Sequence, residues 1–264
     1  MRLALTILVL AAAMLAAAAG IAVADTLVGT DAPERLQGTP GPDQLYGEGG
    51  DDVLVGLGGS DFIEAGPGND NVDAGGGQDL VIGGTGNDSI DGGVDADIVY
   101  AGAGDDLVLG GQGDDTLFGQ DGSDRLFGGA GADRIYASGG ADFADGGSGD
   151  DTLYADGDGI TLLGGGGDDI VSGTGGDITV EGGGGNDRIR TGSGNDHVSG
   201  GPGEDSIATG RGNDRIEAAD GQRDRVNCGR GKKDRVVADR IDVLIGCELV
   251  SRPAPGISRA GPIG

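Results

Sequence analysis

The chain has 264 residues, 62 of them Gly and only 8 aromatic, and its 45 acidic residues outnumber 17 Lys and Arg for a net charge of −28. That composition excludes a globular enzyme built on a large aromatic core, and with only 8 Pro it also excludes collagen. A chain so poor in bulky apolar side chains and so rich in like charge should stay unfolded unless a cation offsets the repulsion.

From the N-terminus, Arg2 opens an apolar stretch from Leu3 to Ala19, and Ala22-Val23-Ala24 forms a small-x-small cleavage site. Residues 1–24 therefore read as a secretory signal peptide, with an uncleaved membrane anchor as the competing reading. Residues 25–217 carry 7 Arg against 39 acidic residues, whereas 218–264 carry 9 basic against 6 acidic. The charge shift marks a boundary near residue 218. Both cysteines lie beyond it, and in a secreted chain Cys228 and Cys247 are expected to form one disulfide. Val250 to Gly264, with Pro253, Pro255 and Pro262, reads as a flexible tail.

Between these ends runs a nine-residue repeat. Cutting every nine residues from Gly38 gives twenty rows ending at Glu217 without insertion or deletion, for example Gly83-Gly84-Thr85-Gly86-Asn87-Asp88-Ser89-Ile90-Asp91. Eighteen rows have Gly fourth, eighteen have Asp sixth, and all twenty have an apolar residue eighth. Gly29 to Gln37 is a weaker copy with Glu34 sixth, and Asp25-Thr26-Leu27-Val28 ends a still earlier row. The glycines suit a six-residue turn, followed by a three-residue strand whose eighth position faces a shared interior.

The pattern resembles the glycine- and aspartate-rich nonapeptide of the RTX (haemolysin-type) calcium-binding family. The resemblance implies an all-β fold, a parallel β-roll solenoid with two rows per coil and about ten turns. It also implies multiple Ca²⁺ ions held between turns one coil apart, so that residues 18 apart share an ion. On that basis the metal ligands are Asp43, Asp52, Asp61, Asp70, Asp79, Asp88, Asp97, Asp106, Asp115, Asp124, Asp133, Asp142, Asp151, Asp169, Asp187, Asp196, Asp205 and Asp214.

Residue choice within the repeat supports the same chemistry independently. Asp and Asn interchange at the fifth position (Asp51, Asp105, Asp114 against Asn69, Asn87, Asn195), but Asn never stands sixth. A turn accepts either residue, whereas a hard cation favours the carboxylate. Zinc and copper are not supported, because the repeats lack Cys and contain only His197. His197 reads as an outward surface residue. Ile160 and Ile178 replace Asp at the sixth position, 18 residues apart, and should interrupt one edge of the roll; Asp156, Asp158 and Asp177 are weak candidates to fill that gap. Because metal would neutralise the repeats, calcium binding and folding are expected to be coupled.

All eight aromatics fall at seventh or ninth positions, outside the roll. Tyr100, Phe118, Tyr136 and Tyr154 recur every 18 residues, with Phe62 on the same face. They read either as a stabilising ladder or as a docking patch for a glycan, a protein or a second copy. Past Glu217 the register breaks, leaving Asp224-Arg225-Val226, Asp234-Arg235-Val236 and Asp242-Val243-Leu244 at irregular spacing. Residues 218–249 read as a disulfide-stapled cap, with Lys232 and Lys233 solvated on it.

The leading expectation is a secreted, non-enzymatic calcium-binding repeat protein with a structural or surface role. A calcium-dependent adhesion module using the aromatic face is the alternative. A polysaccharide-modifying enzyme on a coiled-β scaffold is a third class, without a distinctive catalytic cluster to support it. No nucleic-acid partner is expected, nor stable membrane insertion after cleavage.

Overall fold

Strand pairing in the computed structural model follows the 18-residue offset of the sequence. The structure describes residues 24–253 apart from 232. Residues 1–23 of the expected signal peptide, the end of the tail beyond residue 253 and Lys232 lie outside the described residues. Twenty-six short β-strands and no helix occur among those described, and successive strands alternate between two parallel sheets.

The chain divides into two units at residues 125 and 126. In the first, one sheet stacks Thr26–Thr30, Gln44–Glu48, Phe62–Pro67, Leu80–Thr85, Ile98–Ala103 and Thr116–Asp121. The other sheet stacks the intervening strands from Arg35–Gln37 to Leu107–Gln112. The register sets Leu45 on Ile63, Ile63 on Val81 and Val81 on Val99. These eighth-position side chains are fully buried, so each coil adds one aliphatic layer to a continuous core. In the second unit the same parallel pairing sets Ile135 on Leu153, Leu153 on Val171 and Val171 on Ile189.

Most strands of the first unit are longer than the sequence suggests. They run six residues, through the seventh to ninth positions of one row and the first three of the next. The second position accommodates this by turning left-handed, as at Gly66 (φ 106°) and Gly84 (φ 119°). A Cβ on either glycine would strike the carbonyl oxygen of the coil before it. Three-residue strands of the expected kind appear in the second unit, at Arg188–Arg190, His197–Ser199 and Ser206–Ala208.

Two further differences concern the ends of the repeat. The coils number about a dozen, not ten, because two strands precede Gly38 and four follow Glu217. Beyond Glu217 the chain keeps the parallel pairing: Ser206 sits on Arg225, Arg215 on Arg235, Arg225 on Val243 and Arg235 on Leu249. Extra residues before Arg225 and Arg235, and missing ones before Leu249, are taken up in the corners, so the strands keep their alignment while the sequence loses its period. Cys228 and Cys247 form a disulfide with Cα atoms 5.2 Å apart.

Candidate metal ladders

Side-chain alternation places the sixth, eighth and first positions of the rows on the inner side, so the aspartates point in beside the aliphatic core. All eighteen sequence-predicted aspartates are buried, none more than 3% exposed. Burying a carboxylate requires partners, and the backbone supplies one for each coil. In the first unit the N–H of Asp43 donates to Asp61 Oδ1 (2.7 Å), Asp61 to Asp79 (2.7 Å), Asp79 to Asp97 (2.8 Å) and Asp97 to Asp115 (2.8 Å). A second ladder runs from Asp52 through Asp70, Asp88 and Asp106 to Asp124, at 2.7 to 3.0 Å.

In the second unit, one ladder joins Asp133, Asp151, Asp169, Asp187 and Asp205 by the same bonds at 2.7 to 2.9 Å. The other changes composition after Asp142. Ile160 and Ile178 are buried at 1% and 2% exposure, and their Cδ1 atoms fill the space over Gly157 and Gly173. Carboxylates return at Asp196 and Asp214, with Asp196 N–H donating to Asp214 Oδ1 at 3.0 Å. Asp156, Asp158 and Asp177 do not enter the gap. They are exposed and accept bonds from Thr174, from Asp177 N–H and from Asn195 N–H, respectively.

The fifth position behaves differently, which explains the freedom of Asp and Asn there. Asp51, Asn69 and Asn87 are exposed, and each accepts through Oδ1 from the N–H of the residue one coil later. An amide oxygen serves that bond as well as a carboxylate. His197 is exposed, as expected.

Many sixth-position carboxylates have a second oxygen left over, whereas Asp43 Oδ2 accepts from Thr39 N–H. In the first unit, buried Oδ2 of Asp52, Asp61, Asp70, Asp79, Asp88, Asp97 and Asp106 has no hydrogen-bond donor. The same holds in the second unit for Asp151, Asp169, Asp187 and Asp205, whereas the hydroxyls of Thr191 and Thr209 hydrogen-bond to Asp196 and Asp214 and favour their charged forms. Burial pushes Asp97 up to about 8 and Asp79, Asp106 and Asp151 to about 7, with like-charged aspartates one coil away adding to the rise and the N–H bond opposing it. In rows that begin with Gly, such as those of Asp52, Asp61, Asp88 and Asp97, Oδ2 packs over that glycine, where a carbonyl from the next coil also arrives. A Cβ on Gly47 would lie 2.8 Å from Asp52 Oδ2 and would collide with the Ala65 carbonyl oxygen; Gly83 stands likewise between Asp88 Oδ2 (2.7 Å) and the Ala101 carbonyl.

Oxygen acceptors thus converge where no donor is present, the arrangement a hard cation satisfies. No group of three or more His, Cys, Asp or Glu able to hold a metal forms among the described residues. Calcium coordination accepts both carboxylate and backbone carbonyl oxygens, the two kinds of acceptor that meet here.

The profile of the RTX calcium-binding nonapeptide repeat matches residues 28–63, 49–81, 75–108, 82–117, 118–153 and 181–216, more than half of the chain. The chain belongs to this RTX repeat family. It is a calcium-binding repeat protein that takes multiple Ca²⁺ ions, and the buried carboxylates suit that cofactor. No curated protein matches. Among solved structures, a hyperactive, Ca²⁺-dependent, β-helical antifreeze protein from an Antarctic bacterium is similar at 22% identity, over 88% of this chain and 81% of that one, with a TM-score of 0.36.

Sequence reasoning missed three members of the ladders. Asp224, Asp234 and Asp242 are buried, and each accepts through Oδ1 from the N–H of an aspartate one coil earlier. Their Asp-x-apolar rhythm is visible in the sequence, but row lengths other than nine hide the register.

The aromatic side chains pack on one another. Tyr100 and Phe118 stack with centroids 4.6 Å apart and planes at 3°, and Tyr136 and Tyr154 do so at 5.1 Å and 14°. Phe62 instead meets Tyr46 in a tilted contact at 5.6 Å.

Proposed function

We propose that the chain is a secreted, non-enzymatic calcium-binding β-roll that orders on binding Ca²⁺ and serves a structural or surface role outside the cell. The observation that carries this reading is the series of buried Asp Oδ2 atoms without donors, repeated every 18 residues. Asp52, Asp61, Asp70, Asp79, Asp88, Asp97, Asp106, Asp151, Asp169, Asp187 and Asp205 would hold the ions through these oxygens, with corner carbonyls completing each shell. Without metal, packed anionic carboxylates oppose folding; with metal, ion-binding free energy becomes folding free energy. The disulfide supports an oxidising, extracellular setting.

Circular dichroism at pH 7.5, with calcium and then with excess chelator, tests the coupling. Loss of the β signal in chelator and its return with calcium are expected; an unchanged spectrum overturns the reading. Binding through the aromatic face is a second possibility, favoured by the 41% exposure of Tyr154. The face-to-face stacking of the rings supports a stabilising role more directly.

A further inference from the structure

The repeat profile ends at residue 216, yet the buried carboxylates do not. Asp224 stands 19 residues after Asp205, and Asp234 stands 20 after Asp214, the extra residues lying in the corners. Asp205 N–H donates to Asp224 Oδ1 and Asp214 N–H to Asp234 Oδ1, both at 2.9 Å, as between regular rows. Asp224 is 1% exposed and Asp234 fully buried. In both, Oδ2 is buried without a donor. Over Gly231, both carboxylate oxygens of Asp234 meet the Gly212 carbonyl oxygen in space that a Cβ would occupy.

We infer that the irregular region after residue 217 carries calcium sites of its own, one between Asp205 and Asp224 and one between Asp214 and Asp234. The inference rests on the reading of sixth-position aspartates as calcium ligands and extends it to rows outside the nonapeptide pattern. Two features make both rows equivalent to regular ones, the same N–H to Oδ1 bond and the same leftover oxygen, and at Asp234 the Gly212 carbonyl of the preceding coil adds a further acceptor. The next coil closes the series. Asp242 Oδ2 accepts from Asp239 N–H at 2.5 Å, so its second oxygen is already satisfied, and Asp234 N–H donates to exposed Glu248 at 3.2 Å. The disulfide spans this segment: Cys228 lies between Asp224 and Asp234, and Cys247 precedes Glu248. It ties together the two stretches of chain on which Asp234 depends.

Calcium stoichiometry by native mass spectrometry of the full chain tests this, comparing wild type, Asp79→Asn and Asp224→Asn/Asp234→Asn. Asn keeps the oxygen that accepts the backbone bond and removes only the charge, and circular dichroism at saturating calcium verifies that each variant is folded. The double variant should bind at least two fewer ions than wild type. A full complement in the double variant, with ions lost from Asp79→Asn, overturns this inference alone. A full complement in both overturns the ligand reading beneath it. Should the double variant fail to fold, the rate of disulfide reduction by dithiothreitol in Asp234→Asn gives a second readout. Reduction at saturating calcium should be at least tenfold faster than in wild type, and an unchanged rate overturns the inference.

Discussion

The second unit holds two ladders built from the same rows that solve the same problem in opposite ways. Along one, Asp151, Asp169, Asp187 and Asp205 keep their carboxylates inside, each with one oxygen left without a donor. Along the other, Ile160 and Ile178 fill the corresponding space with hydrocarbon. The aliphatic stretch needs no ion, carries no buried charge and contributes through apolar burial alone. On the proposed reading, aspartate makes a coil's stability conditional on calcium, whereas isoleucine makes it unconditional.

The largest test of that contrast is pH in the presence of chelator. The folded-state pKa values lie well above the usual 3.8, at about 7 for Asp151 and Asp224 and about 6 for Asp169 and Asp205, chiefly through burial. Protonation therefore stabilises the metal-free fold: the contribution is complete below about pH 3.8 and is lost as pH rises through 6 to 7. Metal-free protein should be ordered near pH 4 and unfolded near pH 8 by circular dichroism. The opposite order would contradict the assignment of the buried aspartates as the calcium-dependent element.

Next in size is Ile178→Ala, which leaves a cavity and should cost about 2–5 kcal/mol in urea unfolding with calcium present. Asp169→Ala removes the oxygen that accepts from Asp151 N–H, and should cost about 1–3 kcal/mol apart from any lost ion. The two variants should differ in kind: raising calcium should recover part of the loss for Asp169→Ala and none for Ile178→Ala.

The converse change, Ile160→Asp with Ile178→Asp, should increase the bound calcium seen by native mass spectrometry and lower the midpoint in chelator. Smallest of all is Asn195→Asp at an exposed fifth position, within about 0.5 kcal/mol of wild type by urea unfolding.

Much of this was legible because the period is strict. The buried eighth column and the parallel pairing follow from the nine-residue register, and the contrast between fifth and sixth positions marked the carboxylates that point inward. Less visible was the extent of the strands, because glycine-rich first to third positions read as a turn while the second position lets the chain continue extended. The coil number was underestimated for a related reason. Corner loops tolerate an inserted residue without disturbing the strands, so Asp224 and Asp234 hold their places after the linear period has failed.

The bond from each aspartate N–H to the carboxylate one coil later has a consequence for the shape of a titration. Every such side chain belongs to two coils, so ordering one coil prepares an acceptor for its neighbour, and occupancy spreads as in a one-dimensional chain of coupled units. At Ile160 and Ile178 that chain of carboxylates is cut on one edge. Calcium uptake there should proceed as separate cooperative blocks, each with its own midpoint, and the isoleucine pair acts as the wall between them.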